Sequence, residues 1–473
     1  MILTHRYASY LSLLLVAASG LLPACQTQGQ RVLSAEENYA RNRPGVVKVQ
    51  TEFSANVYVN KVIINEGRFD LLVDSVRRLD TSGLLLSPEK KLDIVLNALY
   101  TRPLRYFAPT TEYLKQAHRV VSTGTGFFVS GDGNLVTNCH VIDRDSTFIR
   151  KEFILSTFQE VTESNINSLE SSWEMKLTPE QRNLLYNTYV FIYSRLSTMI
   201  LFNLQKQIFI EFKAARDTGS QSVVTLPARV IRQGRPMPGK DVAILKIDGQ
   251  ENLPALSLST EPSVNVGSQI YVFGYPGYVA SNRYLAPDAV IEPTLTTGIV
   301  SSIKRSIGGW PVIQTDATIS YGSSGGPVCD RYGQVIGLAT FGSLGQGSGE
   351  LASGYNFAIP VSIIREYLDS VKLKPSLSQA SLSFNQGLKW YFSGYYRRAL
   401  GEFEKVLKLN SSYPQLYQYI RNARQKVENG QDRQHRIVQT FLIIMILILA
   451  VSAALIRIRR TGISQPGSVR PAN

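Results

Sequence analysis

Short apolar runs separated by glycine extend from Ser222 to Pro360 and limit the fold of this chain more than any other feature. Runs of this length, bounded by turn residues, are typical of an all-β barrel or sandwich. The segment 43–57 adds an earlier strand, because Val46, Val47 and Val49 stand among alternating polar residues. We therefore expect a mainly β fold.

Two long stretches outside these predicted strands have apolar residues at helical spacing. They cover residues 59–118 and 146–218. In the second stretch, Thr178-Pro179-Glu180-Gln181 combines a threonine cap, a proline at the first helical position and a glutamine three residues on. We predict a long helix from this point through Leu204.

The N-terminal residues 1–25 resemble a secretory signal. His5 and Arg6 precede an apolar run over residues 11–22, which is followed by small residues. The sequence before Cys25 also resembles a bacterial lipobox, in which this cysteine would be lipidated and become the mature N-terminus. Plain cleavage nearby and retention as an anchor are the alternatives.

A second apolar segment, residues 437–456, contains twenty residues and no charge. That length crosses a hydrocarbon core of ~30 Å as a helix. Arg457, Arg459 and Arg460 follow directly, and positive charge marks the cytoplasmic side of a membrane. We expect a single-pass protein with a cytoplasmic tail over 457–473 and everything before the span outside the cytoplasm.

Charge and cysteine content exclude several classes of protein. The net charge is +14, but no run of five or six basic residues is present, which argues against nucleic-acid binding. Three cysteines provide neither a disulfide framework nor a metal motif, and no cofactor is expected. Cys139 and Cys329 could form one bridge, and two separate buried thiols are the favoured alternative.

Three short motifs supply a complete set of groups for acyl transfer. They are Thr137-Asn138-Cys139-His140-Val141, the strand that begins with Asp241, and Gly322-Ser323-Ser324-Gly325-Gly326-Pro327. A serine hydroxyl needs a histidine to accept its proton, and a buried carboxylate holds that histidine in the correct tautomer. We expect Ser324 as nucleophile, His140 as general base and Asp241 as the orienting residue, with the N–H groups of Gly322 and Ser324 as the oxyanion hole.

Each motif by itself has an ordinary structural explanation. A histidine after a strand is usually structural, an aspartate before an apolar strand can be a turn residue, and glycine-rich serine loops are common. Their occurrence together, in this order and beside predicted strands, favours catalysis.

These motifs and their surroundings resemble the HtrA/DegP branch of the trypsin-like proteases. The resemblance also covers the segments 124–129, 298–301, 313–317, 337–339 and 356–360. Overall it extends over residues 44–58, 119–145 and 219–368. It implies a protease domain over 44–370 that consists of two six-stranded barrels with the catalytic residues between them.

The chain departs from this family in three ways. His140 and Asp241 are 101 positions apart, because of the insert 146–218, and Ser323 stands where asparagine is common. No PDZ domain follows the protease domain. Residues 384–430 instead resemble one tetratricopeptide repeat, with an ordinary helical hairpin as the alternative; the matching residues are Gly387, Trp390, Gly394, Tyr396, Ala399, Phe403 and Pro414.

The family resemblance also implies a set of substrate-binding residues. Thr318, six residues before the nucleophile, would line the base of the specificity pocket, with Ala339 and Thr340 along the substrate. Since Thr318 is uncharged, small or medium apolar side chains are expected there rather than Lys or Arg.

The sequence therefore predicts a serine endopeptidase that acts on extracytoplasmic proteins in quality control or regulated proteolysis. Its partners would be protein or peptide substrates, a protein bound by the tetratricopeptide-like segment, and further copies of the chain in a homo-oligomer. The alternative is an idle protease fold that serves as a chaperone or binding scaffold at the membrane.

Overall fold

The computed structural model describes residues 31–81, 86–144, 146–216, 221–260, 264–280, 282–286, 291–344 and 351–461. The signal-like segment with Cys25, and the tail beyond residue 461, lie outside these ranges.

Two antiparallel barrels form the centre of the molecule. The first closes in the order β1-β2-β3-β6-β5-β4 and the second in the order β10-β11-β12-β9-β8-β7. The strands are β1 Val46–Ile64, β2 Phe107–Phe128, β3 Asn134–Thr137, β4 Met199–Ala215, β5 Gln221–Gln233, β6 Ala243–Lys246, β7 Gln269–Gly274, β8 Thr294–Arg305, β9 Pro311–Thr315, β10 Pro327–Asp330, β11 Val335–Leu344 and β12 Leu351–Pro360. The expected double barrel of six strands each is confirmed.

Helices surround the barrels. They are α1 Ala35–Asn42, α2 Glu66–Thr81, α3 Pro88–Thr101, α4 Pro103–Tyr106, α5 Cys139–Ile142, α6 Ser146–Ser172, α7 Pro179–Leu196, α8 Gly277–Ala280, α9 Val361–Ser370, α10 Gln379–Phe392, α11 Tyr396–Leu409, α12 Leu416–Glu428 and α13 Arg433–Thr461. Strands hold more residues than helices within 44–370, but over the described chain helices hold more. The description "mainly β" therefore fits residues 44–370 and not the chain as a whole.

One hydrophobic cluster joins the two barrels. It combines Phe127 and Ile244 of the first barrel with Phe273 and Leu338 of the second, and all four are fully buried. Helix α9 adds apolar residues to the same cluster. Continuous packing of this kind fixes the relative position of the barrels, and thus of groups that approach from either side.

The two inserts form one helical subdomain with a core of its own. Leu96 and Leu99 of the first insert pack in the same cluster as Tyr189 and Ile192 of the second. The amide of Gln181 also donates to the Asp93 carboxylate across the two inserts, at 2.8 Å. Segments far apart in sequence thus share one core.

The strands that carry the inserts are longer than the sequence predicts. β1 extends to Ile64 because Val59 and Val62 continue the alternation of buried residues into the core of the subdomain. Helix α7 begins with the predicted Thr178–Gln181 capping box but ends at Leu196. Residues 199–204, predicted to be helical, instead begin β4, where Met199 to Phe202 pair with β1.

Helices α10 to α12 form a compact unit behind the first barrel. Phe384 and Phe403 are fully buried between them, together with Ala40 of α1. Two hydrogen bonds of 2.9 Å tie the unit to the rest of the molecule. The Ala215 N–H at the end of β4 donates to the Ser412 carbonyl, and the Ala255 N–H, between β6 and β7, donates to Ser381 Oγ.

The last described helix, α13, contains the apolar segment 437–456. Its length and composition are sufficient to cross a membrane, and its apolar side chains are exposed. The Arg433 N–H donates to the Gly394 carbonyl at 2.9 Å, so the helix starts in contact with the α10–α11 turn.

Candidate active site

Strand pairing in the first barrel brings His140 and Asp241 together. His140 lies in α5, directly after β3, and Asp241 stands two residues before β6. β3 and β6 are antiparallel neighbours with Thr137 opposite Ala243. The end of one strand and the start of the other therefore lie side by side, although the insert separates them in sequence.

The Asp241 carboxylate is fully buried and accepts three hydrogen bonds. His140 Nδ1 lies 2.5 Å from its Oδ2, the His140 backbone N–H donates to Oδ1 at 2.8 Å, and the Thr340 hydroxyl donates to Oδ2 at 3.0 Å. A carboxylate only accepts, so Nδ1 carries the proton of a neutral ring and Nε2 is left with its lone pair. This arrangement is the one that a histidine general base requires.

Ser324 lies in the turn between β9 and β10, on the second barrel. Its hydroxyl donates to the Thr340 carbonyl at 2.7 Å. No hydrogen bond between this hydroxyl and the His140 ring is present among the described residues. The Thr125 N–H donates to the Ser324 carbonyl at 2.8 Å and so ties the serine turn to the first barrel.

The glycines of this turn are required by its conformation. Gly322 has φ +91°, and a Cβ there would lie 2.4 Å from the Tyr275 carbonyl oxygen. The Thr125 hydroxyl holds the Gly322 carbonyl at 2.7 Å. Within the described part of the chain, the N–H groups of Gly322 and Ser324 donate to no other group, so both remain available for an oxyanion.

A cleft of about 640 Å³ opens over these groups. It is lined by residues 120–123, His140, Arg144, Phe148, Glu152, Pro236, Met237, Asp241, 319–322, Ser324 and Thr340. The structure thus brings His140, Asp241, Ser324, Gly322 and Thr340 to one site. Phe148 and Glu152 come from the second insert, and sequence reasoning missed them because nothing in their spacing indicates which face of α6 meets the cleft.

The other two predicted substrate-binding residues do not line this cleft. Thr318 is exposed, its carbonyl accepts a bond from the Thr296 hydroxyl, and the neighbouring Ile319 lines the cleft instead. Ala339 is fully buried, and its backbone pairs with Gly325 and Gly326. Thr340 lines the cleft, but its hydroxyl supports Asp241.

Both cysteines in the described ranges are free, buried thiols, as favoured from the sequence. Burial, reinforced by the nearby Asp241 charge, raises the pKa of Cys139 to about 12. Burial also raises the pKa of Cys329. Among the described residues, no group of three or more His, Cys, Asp or Glu side chains could hold a metal ion.

Comparison with known proteins agrees with this geometry. Residues 203–338 match the family model described as "Trypsin-like peptidase domain". The match includes Asp241 and Ser324 and begins after His140.

Several proteases are similar to part of the chain. "Protease Do-like 5, chloroplastic" of Arabidopsis thaliana is 40% identical over 136 residues, which are 27% of this chain and 38% of that protein. "Serine protease HTRA2, mitochondrial" of Bos taurus is 35% identical over 146 residues, 29% of this chain and 28% of that protein. "Serine endoprotease DegS" of Haemophilus influenzae is 32% identical over 136 residues, 28% of this chain and 36% of that protein. The similarity therefore spans well under half the length of each relative.

Among solved structures, "HtrA-type protease AlgW with decapeptide" is similar at 20% identity and a TM-score of 0.34. The aligned region covers 72% of this chain and 67% of that one.

Proposed function

Because the chain carries a trypsin-like peptidase domain homologous to those of the HtrA proteases, we propose that it is a serine endopeptidase with Ser324 as the nucleophile. One observation carries the proposal. His140, oriented by the buried Asp241, lines the same cleft as Ser324. The backbone N–H groups of Gly322 and Ser324 donate no hydrogen bond among the described residues.

The geometry supports an acyl-enzyme mechanism. His140 Nε2 would accept the Ser324 proton as Oγ attacks the scissile carbonyl, and would then donate it to the leaving amine. Asp241 would stabilise the imidazolium without taking its proton. The N–H groups of Gly322 and Ser324 would bind the oxyanion, and one such donor typically contributes about 3–4 kcal/mol to the transition state.

The Ser324 hydroxyl must change partner before it can react. It donates to the Thr340 carbonyl, and rotation about its Cα–Cβ bond would turn it towards His140. A substrate N–H that donates to the same carbonyl would release the hydroxyl. We therefore propose that substrate binding completes the catalytic arrangement, as is common for hydrogen bonds in unliganded active sites.

We further propose that the enzyme acts outside the cytoplasm, on proteins handled by quality control or regulated proteolysis. The signal-like start, the membrane-length helix α13 and the arginines after it support this location. The tetratricopeptide-like unit over 384–430 would bind a protein partner, and the catalytic units would form a homo-oligomer.

The experiment is digestion of casein by the full chain in detergent, with Ser324→Ala as the matched variant. Loss of the nucleophile should lower turnover by about 10⁶-fold, whereas the turn keeps its glycines and the fold persists. A fluorophosphonate probe should label wild type and not the variant. Activity of the variant within tenfold of wild type would refute the mechanism.

The idle-scaffold alternative is favoured by one observation only, the bond between Ser324 and Thr340 instead of His140. It predicts that wild type neither digests casein nor reacts with the probe, in the presence or absence of substrate peptides. Substrate-dependent labelling would exclude it.

A further inference from the structure

The start of helix α6 forms one wall of the catalytic cleft. Phe148 and Glu152 lie four positions apart, which places them on the same helix face, and both line the cleft. Arg144, just before the helix, lines it as well. The second insert therefore contributes directly to the surface that a bound polypeptide would contact.

Buried contacts with strand β1 hold the start of helix α6 in place. Ile149 and Phe153, on an adjacent face of the same turns, are buried in one cluster with Phe53, Ala55 and Val57 of β1. Fully buried aromatic and aliphatic contacts of this kind restrict side-chain and helix motion. Phe148 and Glu152 are thus presented on a rigid element, as a specificity site requires.

The three cleft-facing side chains, Arg144, Phe148 and Glu152, differ in the contacts that they already form within the protein. The Arg144 guanidinium lies 5.3 Å from the centre of the Phe148 ring and donates to the Ser122 hydroxyl at 3.0 Å. Phe148 is 42% exposed. Among the described residues, the Glu152 carboxylate forms no hydrogen bond or ion pair.

The Arg144 guanidinium covers part of the Phe148 ring, and the part left exposed lies on the same helix face as the unpaired Glu152 carboxylate. This combination matches a particular type of side chain. Lysine and arginine have an apolar stem that packs on a ring and a charged end that remains hydrated near a carboxylate. Small polar side chains would leave the exposed part of the ring and the Glu152 charge without a partner.

We propose that Phe148 and Glu152 form a specificity subsite for a basic residue of the polypeptide substrate. The basic side chain would lie along the Phe148 ring with its charge at Glu152. This subsite is separate from the one expected to accept a small apolar residue at the scissile bond. The inference rests on the proposed endopeptidase function and adds to it a substrate class, namely chains with a Lys or Arg near an apolar cleavage point.

The test uses the full chain in detergent with a randomised peptide library, and mass spectrometry reads the residues around each cleavage. Wild type should enrich Lys and Arg at one position within about four residues of the cut. Glu152→Gln should lose that enrichment, with kcat/KM for basic peptides about fivefold lower, as for a partly exposed ion pair. Glu152→Lys should favour acidic residues at the same position. Glu404→Gln, an identical change on helix α11 away from the cleft, is the matched control and should keep the wild-type profile.

A binding measurement separates this inference from the proposed function. On the Ser324→Ala background, fluorescence anisotropy should show that Glu152→Gln weakens a basic peptide about fivefold and leaves a neutral peptide unchanged. Equal affinities and equal cleavage profiles for wild type, the Glu152→Gln variant and the control would overturn the subsite. Selective binding without Ser324-dependent cleavage in wild type would support the subsite and refute the endopeptidase.

Discussion

Thr340→Val should slow catalysis without weakening substrate binding. Sequence reasoning assigned Thr340 to substrate contact, whereas its hydroxyl donates to the buried Asp241 carboxylate at 3.0 Å. Valine has almost the same shape but no donor, and it leaves the backbone carbonyl near Ser324 in place. The two interpretations of this residue therefore predict different kinetics.

The expected magnitude follows from the hydrogen bonds of the carboxylate. A hydrogen bond to a charged group contributes about 1.5–3 kcal/mol, and Asp241 would lose one of three donors. Both remaining donors belong to His140, so the pair should stay together but less well fixed. We expect kcat to fall about tenfold, equivalent to about 1.4 kcal/mol, with KM unchanged.

The assay is steady-state cleavage of a fluorogenic peptide, with thermal unfolding measured in parallel. Thr340→Ser keeps the hydroxyl and should have nearly wild-type kcat, which makes it the matched control. A rise in KM at constant kcat would show that the residue contacts substrate. Equal kcat for the valine variant, the serine variant and wild type would refute the positioning role.

Four other measurements test different parts of the structure. Cys139, with its pKa raised to about 12, should resist alkylation in the native state at pH 8, where only about 10⁻⁴ of it is thiolate, and should react after unfolding; rapid native labelling, mapped to this cysteine by mass spectrometry, would contradict its burial. The same raised pKa favours the protonated, folded form, so the free energy of unfolding should fall as pH rises from about 9 towards 12. Gly387→Ala should destabilise the α10–α12 unit by about 1–3 kcal/mol in chemical denaturation, because the new Cβ would lie 2.5 Å from the Phe403 ring; unchanged stability would show that this contact is loose. A reporter fused at Asn473 should be cytoplasmic while external protease degrades residues 31–435, and a reporter outside the cytoplasm would refute the proposed topology.

The meeting of His140, Asp241 and Ser324 at one cleft was predictable because the proposed chemistry restricts residue types at recognisable positions. A nucleophile turn needs glycine at positive φ, which Gly322 and Gly325 adopt. A histidine just after one apolar strand and an aspartate just before another become neighbours when those strands pair. These are local patterns, so the long insert 146–218 between the two motifs did not hide them.

The rest of the site could not be predicted because it depends on packing across the fold. The weak amphipathicity of α6 gives no indication that Phe148 faces the cleft and Phe153 faces β1. The partner of the Thr340 hydroxyl depends on how β11 approaches the first barrel. The end of α7 at Leu196 also follows from tertiary structure, since Met199 to Phe202 pair with β1 in spite of their helical spacing.

The helical subdomain and the cleft are joined by shared strands and a shared helix. Strands β1 and β2 run from the barrel into the subdomain, where Val59 and Val62 join its core. At its other end, β2 reaches Thr125, whose N–H holds the Ser324 carbonyl and whose hydroxyl holds the Gly322 carbonyl. Helix α6 packs on the same strands and lines the cleft. We therefore expect a partner that binds the subdomain to affect the α6 wall and the support of the serine turn together.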